Sequence, residues 1–303
     1  MSNVLNNLTR RALVVSSALF GWRLYEQLAT ANPIGGTVVS GSATIKSSGS
    51  QETITTAGNA YINWNTFNIG GSETTTFVEP SATSVVWNNI TGSGASQILG
   101  TINANGYVIL QNQAGFYVGG TINAHGLIMT TAASPAPNLS SGGAWEFDAP
   151  PPTAKIINCG KINIADGGSA FLIAADIENN GTITAPSGNI GLYAGEKVLI
   201  STTPNGLGLS AEVTLPQGSV DNKGNLIADG GTIAAQAQTV NQNGLVQANS
   251  VQEVNGTIEL VASDAVSLGA NSAISAQGGS TGASSGGSVT IQAGNTFSDQ
   301  AGS

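Results

Sequence analysis

Residues with versatile side-chain chemistry are scarce in this sequence. Its 303 residues include one cysteine, Cys159, and one histidine, His125. A single cysteine cannot form an internal disulfide, and one cysteine with one histidine cannot provide the ligand set that zinc needs. The chain therefore lacks the usual ligands for metal and redox chemistry, and we expect no metal and no cofactor. An unpaired cysteine often behaves as a small buried hydrophobe, which predicts that Cys159 packs in a turn.

Charged residues are also scarce, and basic residues most of all. Charged residues make up 8% of the chain, with 8 Lys and Arg against 17 Asp and Glu, which gives a formal net charge of −9. Beyond residue 31 the basic residues are scattered singly, so no basic stripe is available to neutralise phosphates. We therefore expect no nucleic-acid partner.

Glycine, in contrast, is abundant. The chain has 41 glycines and only 5% aromatic residues, a composition that fits no ordinary α/β or helical domain. Apolar residues still make up 40% of the chain, which is enough to bury a core. The composition indicates a folded protein built from repeats.

The first 31 residues differ from the rest of the chain. Arg10 and Arg11 precede an apolar run over residues 12–22, and Ala29 and Ala31 form a small-x-small cleavage site. That order is typical of a secretory signal peptide, here cleaved after Ala31. The apolar run has about half the length that a membrane-spanning helix needs, so a retained anchor is the weaker interpretation. A surface amphipathic helix is the structural alternative.

A glycine phrase recurs about every 20 residues from residue 100 onward. In each copy the glycine is followed two positions later by Ile, Leu or Val. The copies begin at Gly100, Gly120, Gly160, Gly181, Gly224 and Gly244. Two gaps between copies, of 40 and 43 residues, fit two repeats each. A second glycine phrase, with an apolar residue two positions later, alternates with the first and begins at Gly168, Gly188, Gly231, Gly256 and Gly287.

Each repeat therefore holds at least two short strands. Apolar residues alternate with small polar ones over a few positions, which is the pattern of a strand with one buried face. Gly and Asn at the corners accept the left-handed backbone that sharp turns need. The pattern predicts an all-β fold, a right-handed parallel β-helix with an N-terminal cap. About twelve coils at about 4.8 Å each would form a rod on the order of 55 to 60 Å long.

Residues 132–155 interrupt the repeat. Two proline-rich stretches, Ser134-Pro135-Ala136-Pro137 and Ala149-Pro150-Pro151-Pro152, bracket an aromatic segment there. Proline cannot donate a hydrogen bond to a strand ladder, so these residues are predicted to leave the helix as a small excursion. The excursion is either a loop or hairpin lying on the rod or a contact surface for a transporter or host.

Parallel β-helices also include polysaccharide-processing enzymes, which need two carboxylates facing one groove about 5 to 10 Å apart. The acidic residues that could supply them do not recur at equal offsets in the repeat: Asp166, Asp176, Glu178, Glu196, Asp221 and Asp229. His125 has no nucleophile partner in the pattern. The aromatic residues between 61 and 87 are expected to pack in the core and cap, with an exposed glycan-stacking platform as the alternative. We expect no catalytic residues and keep a β-helical polysaccharide-processing enzyme as the alternative function.

Several motifs follow one another in a specific order between residues 32 and 119. They are Asn32-Pro33, Asn63-Trp64-Asn65-Thr66-Phe67-Asn68-Ile69, Trp87-Asn88-Asn89-Ile90-Thr91-Gly92, Ser96-Gln97-Ile98-Leu99-Gly100, Ala104-Asn105-Gly106-Tyr107-Val108 and Asn112-Gln113-Ala114-Gly115-Phe116-Tyr117-Val118-Gly119. Through them, residues 32 to about 131 resemble the N-terminal secretion domain of the filamentous haemagglutinin family, the exported proteins of two-partner secretion systems.

The resemblance implies a set of secretion-motif residues and one route of export. The residues are Asn88, Thr91, Gly92, Asn105, Gly106, Asn112 and Gly115. The chain departs from the family where Gln113-Ala114 replaces Pro-Asn and where Asn89 replaces Arg. The implied route is the general secretory pathway, followed by an outer-membrane transporter whose periplasmic domains bind the secretion domain.

Together these observations predict a secreted or surface protein of a Gram-negative-type bacterium. We expect a signal peptide at 1–31, a secretion domain at 32–154, and β-helix repeats at 155–303 that continue beyond the end of this sequence. The expected function is that of an adhesin or scaffold. Receptors or glycans on host or neighbouring cells are further candidate partners.

Overall fold

The computed structural model describes residues 32–135, 137–140, 143–202, 209–252, 254–279 and 285–301. These residues form strands and loops, and no helix among them is long and apolar enough to cross a membrane. The strands are β1 (Thr37–Ser40), β2 (Ala43–Ser48), β3 (Gln51–Thr56), β4 (Ala60–Trp64), β5 (Thr74–Val78), β6 (Val85–Ile90), β7 (Ser96–Ile98), β8 (Thr101–Ala104), β9 (Tyr107–Gln111), β10 (Phe116–Val118), β11 (Thr121–Thr130), β12 (Gly143–Asp148), β13 (Lys155–Asn158), β14 (Lys161–Ile173), β15 (Asp176–Asn179), β16 (Thr182–Thr184), β17 (Asn189–Tyr193), β18 (Gly195–Thr202), β19 (Leu209–Pro216), β20 (Ser219–Asn222), β21 (Asn225–Ile227), β22 (Thr232–Gln242), β23 (Leu245–Gln247), β24 (Thr257–Leu268), β25 (Ala273–Ser275), β26 (Ser288–Ala293) and β27 (Thr296–Asp299).

Three parallel sheets wrap around one core, so the predicted all-β parallel β-helix is confirmed. Sheet I stacks β3, β5, β8, the start of β11, the start of β14, β16, β21, β23 and β25. Sheet II stacks β4, β6, β9, the ends of β11 and β14, β17, the starts of β22 and β24, and β26. Sheet III stacks β7, β10, β13, β15, β20, the ends of β22 and β24, and β27.

The coils are fewer than the spacing of the glycine phrases predicts. The nine strands of sheet I correspond to nine coils in the described residues, a length of about 40 Å. The expectation of twelve was wrong because each long gap holds one coil: Thr121 pairs directly with Lys161, and Thr182 with Asn225. The surplus residues leave the helix at the corner between sheets II and III.

Those surplus residues form a second, antiparallel sheet of β12, β18 and β19 on the outer face of sheet II. Strand β12 belongs to the predicted excursion, which is confirmed, whereas the hairpin of β18 and β19 was not anticipated. Trp145 and Phe147 of β12 pack on sheet II, and the Phe147 ring lies 5.7 Å from that of Trp87. This second apolar cluster is distinct from the one inside the helix.

The N-terminal end of the helix is capped by antiparallel strands. Strand β1 pairs with β4, and β2 pairs with β3, so the edges of the first coil are covered. Trp64, Phe67 and Phe77 fill the core behind this cap, as expected for the aromatic residues of the first coils. Cys159 is exposed, so the expectation of a packed cysteine was wrong. The preceding residue, Asn158, points into the core, and successive side chains of an extended chain point to opposite faces.

A ladder of buried amides follows the inner corner between sheets III and I. The Asn158 side chain donates to Asn179 at 2.8 Å, Asn179 donates to Asn222 at 2.8 Å, and Asn222 donates to Gln242 at 2.8 Å. Gln242 ends the ladder by donating to the carbonyl of Gly244 at 2.7 Å. The amides are paired from coil to coil, so the ladder fixes the register of four successive coils.

Replacing Asn179 by alanine is expected to lower the free energy of unfolding by about 2 to 6 kcal/mol. The change leaves the side-chain nitrogen of Asn158 and the side-chain oxygen of Asn222 buried without a partner, at about 1 to 3 kcal/mol each. Asn163→Ala is the matched control, because its bond to Asn123 is exposed and its loss is expected to change stability by less than about 0.5 kcal/mol. Urea unfolding measures both, and equal effects would contradict the ladder's role.

Candidate functional site

The seven secretion-motif residues lie at two corners of the early coils. Five of them (Asn88, Thr91, Gly92, Asn112 and Gly115) stand on or near the corner between sheets II and III. Asn105 and Gly106 stand at the corner between sheets I and II, where β8 ends and β9 begins. The motif is therefore divided over two edges of the helix.

Asn112 organises the turn between β9 and β10. It is fully buried, and its amide nitrogen donates to the Gly94 carbonyl and to the Ser96 hydroxyl, both at 3.0 Å. Its side-chain oxygen accepts the N–H of Ala114 at 2.9 Å. Asn112 thus ties its own turn to the loop of the preceding coil.

Gly115 ends the same turn in a conformation that favours glycine. Its φ is +106°, and a Cβ there would lie 2.7 Å from the carbonyl oxygen of Lys155 on the next coil. Its N–H donates to the Asn112 carbonyl, and its carbonyl accepts the N–H of Ser96, both at 3.0 Å. A side chain at this position would meet both backbone strain and a close contact.

Asn88, Thr91 and Gly92 tie β6 to the coil before it. The Trp64 indole donates to Asn88 at 2.9 Å inside the core, and the Asn88 amide donates to the Val86 carbonyl at 3.2 Å. The Thr91 hydroxyl donates to the Trp64 carbonyl at 2.9 Å. A Cβ on Gly92 would overlap the carbonyl oxygen of Asn65. These residues therefore hold the backbone of neighbouring coils close together.

Asn105 and Gly106 enclose a residue that the sequence pattern missed, Glu79. The Asn105 side chain accepts the Glu79 N–H at 2.8 Å and donates to the Glu79 carbonyl at 2.6 Å. The Gly106 N–H donates to the Glu79 carboxylate at 2.9 Å. Burial raises the pKa of Glu79 to about 8, against the opposing effect of that N–H. The only local sign of a buried acid was that Glu79 directly follows the apolar residues Phe77 and Val78.

The acidic residues that were considered for catalysis are spread over the surface rather than gathered in a groove. Asp176 and Glu178 of sheet III pair with Lys155 at 3.3 Å and with Lys223 at 3.0 Å. The hydrogen bond from Asn180, with that from Lys223, lowers the pKa of Glu178. Asp229 accepts bonds from the Gln247 side chain at a corner. These carboxylates make structural contacts between coils.

The one histidine packs against an aromatic ring and belongs to no metal-binding group among the described residues. His125 packs edge-on against Tyr107, with ring centroids 5.5 Å apart. Within the parts of the chain that the structure describes, no three His, Cys, Asp or Glu side chains are grouped to hold a metal ion. Ala29 and Ala31, the expected signal-cleavage residues, lie outside the described residues.

Comparisons with known proteins find a secretion domain that includes all seven motif residues. A family model described as TPS secretion domain matches residues 29–206. A heme/hemopexin-binding protein of Haemophilus influenzae (strain ATCC 51907 / DSM 11121 / KW20 / Rd) is 30% identical over 251 residues, 77% of this chain and 27% of that protein. A second heme/hemopexin-binding protein of Haemophilus influenzae is 40% identical over 74 residues, 24% of this chain and 8% of that protein. The chain thus spans little more than a quarter of the first relative's length.

A solved structure shows the same fold. The crystal structure of the HMW1 secretion domain from Haemophilus influenzae matches with a TM-score of 0.70 and 25% sequence identity. The match covers 89% of this chain and 84% of that one.

Proposed function

Because this chain belongs to the family of TPS (two-partner secretion) secretion domains, we propose that its capped first coils direct export through an outer-membrane partner transporter. Proteins of this family are secreted across the outer membrane of Gram-negative bacteria to the cell surface or the medium. The observation that carries the proposal is the family match over residues 29–206, which includes every motif residue. The periplasmic domains of the transporter are the proposed binding partner.

The physical properties of the chain suit export in an extended state. With one cysteine it forms no internal disulfide, and few charged groups would have to cross the pore. Each coil pairs only with its neighbours, so the helix is able to grow coil upon coil as the chain emerges. The hydrogen bonds of Asn88, Asn105 and Asn112 join successive coils, and we infer that the motif supports this growth.

The exported product is proposed to act as an adhesin-like protein or surface scaffold. Receptors or glycans on host or neighbouring cells are its proposed targets. The division into a signal peptide at 1–31, a secretion domain at 32–154 and repeats at 155–303 belongs to the same proposal. We do not extend heme or hemopexin binding to this chain, because it aligns with 27% of that relative and its one histidine packs on Tyr107.

The enzyme alternative finds no support in these relatives. They belong to an exported family of binding and secretion proteins rather than to polysaccharide-processing enzymes. Four of the acidic residues that could have served catalysis instead pair with lysines or with polar groups of adjacent coils: Asp176, Glu178, Asp221 and Asp229. We infer that this chain has no catalytic role.

Export is tested by expressing the full chain with and without the two-partner-secretion transporter of the same bacterium. We expect the protein in the medium or on the cell surface only when the transporter is present, and in the periplasm when it is absent. N-terminal sequencing of the exported protein is expected to begin at Asn32. Transporter-independent export, or retention in the periplasm with the transporter present, would contradict the proposed route, and a sequence that begins at Met1 would contradict the signal peptide.

A further inference from the structure

We propose that Glu79 is a proton-linked clamp at the corner between sheets I and II, so that folding of the early coils takes up a proton at this carboxyl group. The side chain is 5% exposed and lies inside the corner that Asn105 and Gly106 close. The inference rests on the buried geometry of one carboxyl group and holds independently of the proposed export function.

The corner provides too few donors for a carboxylate. One oxygen of Glu79 accepts the Gly106 N–H at 2.9 Å, and the other is buried without a hydrogen-bond partner. A buried carboxylate with a single donor is costly, whereas its neutral form is tolerated far better. The Asn105 side chain bonds the backbone of Glu79 rather than its carboxyl group.

The space for the carboxyl group exists because residue 106 is glycine. A Cβ there would lie 2.5 Å from one Glu79 carboxyl oxygen and 2.7 Å from the other. Gly106 therefore admits the side chain and provides its one donor. The pairing of Glu79 with Asn105-Gly106 joins two coils through residues that are 27 positions apart.

Among the residues that the structure describes, no cation forms an ion pair with this carboxyl group. The strands that meet at the corner, β5, β6, β8 and β9, contain no Lys, Arg, His, Asp or Glu. Other titratable groups on these coils are Glu73 just before β5, Tyr107 on β9, and His125 one coil further along the same corner. Burial is the main cause of the raised pKa of Glu79, about 8 in the folded protein against an ordinary value of 4.5.

The stability of the folded protein is expected to fall as pH rises. An acid whose pKa is higher in the folded state binds its proton more tightly there. The free energy of unfolding is therefore highest below the pKa of the unfolded state, and it decreases as pH rises towards the pKa of the folded state. The equilibrium constant for unfolding should therefore rise by close to ten-fold per pH unit between about pH 5.5 and 7.5. Glu52, which is also buried with one unpartnered oxygen and a raised pKa, adds a change of the same sign.

The test compares urea unfolding of the purified exported protein with that of its Glu79→Gln variant from pH 5 to 8.5. The amide imitates the neutral acid at every pH, so we expect the variant to lose most of the wild-type pH dependence and to be the more stable protein at pH 8. Glu212→Gln, at an exposed position of β19, is the matched control and should keep the wild-type profile. A Glu79→Gln profile parallel to that of the wild type would overturn the proposal.

A second measurement keeps the proposal testable if the variant does not fold. Refolding the wild-type protein in weakly buffered solution at pH 7 should take up about one proton per molecule or more, detected with a pH indicator. Net proton uptake below about half a proton would overturn the clamp. Because both measurements use purified protein, their outcome is separate from that of the export experiment.

Discussion

The double variant Asn112→Ala, Gly115→Val is expected to lose about 4 kcal/mol or more of folding stability and to disappear from the medium. Removing the Asn112 amide leaves the Gly94 carbonyl, the Ser96 hydroxyl and the Ala114 N–H without their partner. Valine at position 115 would be forced into a positive φ, against the carbonyl oxygen of Lys155. Both changes weaken the turn that joins the early coils.

Localisation and stability together separate two explanations for the loss of export. If corner geometry is decisive, the refolded double variant should unfold at a lower urea concentration than the wild type. If the transporter reads these side chains directly, the variant should be as stable as the wild type and accumulate in the periplasm. We favour geometry, since Asn112 is fully buried. Gln113→Ala, exposed in the same turn, is the control, and normal export of the double variant would refute both explanations.

The strands inside the helix could be predicted because their signal is local. Ile102, Ile122, Ile162 and Ile183 occupy the same inward position of sheet I on successive coils, and each stands two residues after a phrase glycine. Alternation with a period of two fixes which face of a strand is buried. The corner requires glycine because a Cβ there would overlap the backbone of the previous copy, as at Gly120, Gly160, Gly181, Gly224 and Gly244.

The route of the chain between strands was predicted less well because alternation does not reveal the pairing partner. Strands β18 and β19 alternate like the strands of a coil, yet they form an antiparallel hairpin outside the helix. A gap of 43 residues is therefore compatible either with two coils or with one coil and a hairpin. The arrangement with one coil and a hairpin forms because the hairpin helps to bury apolar residues on the outer face of sheet II, such as Trp87 and Phe171.

The candidate site was predicted as a set of residues but not as an arrangement. Asn88 lies within β6 and the other six motif residues lie at coil corners, yet the sequence did not reveal that these corners are two. Glu79 was missed because its burial depends on Gly106, which lies on the next coil. A contact of that kind has no local pattern, whereas the turn of Asn112 and Gly115 is contained within four residues.

Replacing Phe147 by alanine is expected to detach the small outer sheet while the helix itself stays folded. Phe147 is fully buried between the two sheets, and truncating a buried phenylalanine costs about 3 to 5 kcal/mol. That cost would raise the opening equilibrium of the outer sheet by about 100-fold or more. Hydrogen exchange should therefore accelerate at amides of β12, β18 and β19 and remain slow in β8 and β11.

This regional response follows from the presence of two separate apolar clusters. The inner cluster is shared by all three sheets of the helix, whereas the outer one joins only sheet II to its cover. Phe297→Ala is the matched control, because this ring is 54% exposed on β27 and its removal should leave exchange in both regions unchanged. If Phe147→Ala accelerates exchange equally in β11 and β18, the outer sheet and the helix unfold as one cooperative unit. In that case the cover would act as a structural part of the secretion domain, and its loss should also reduce export.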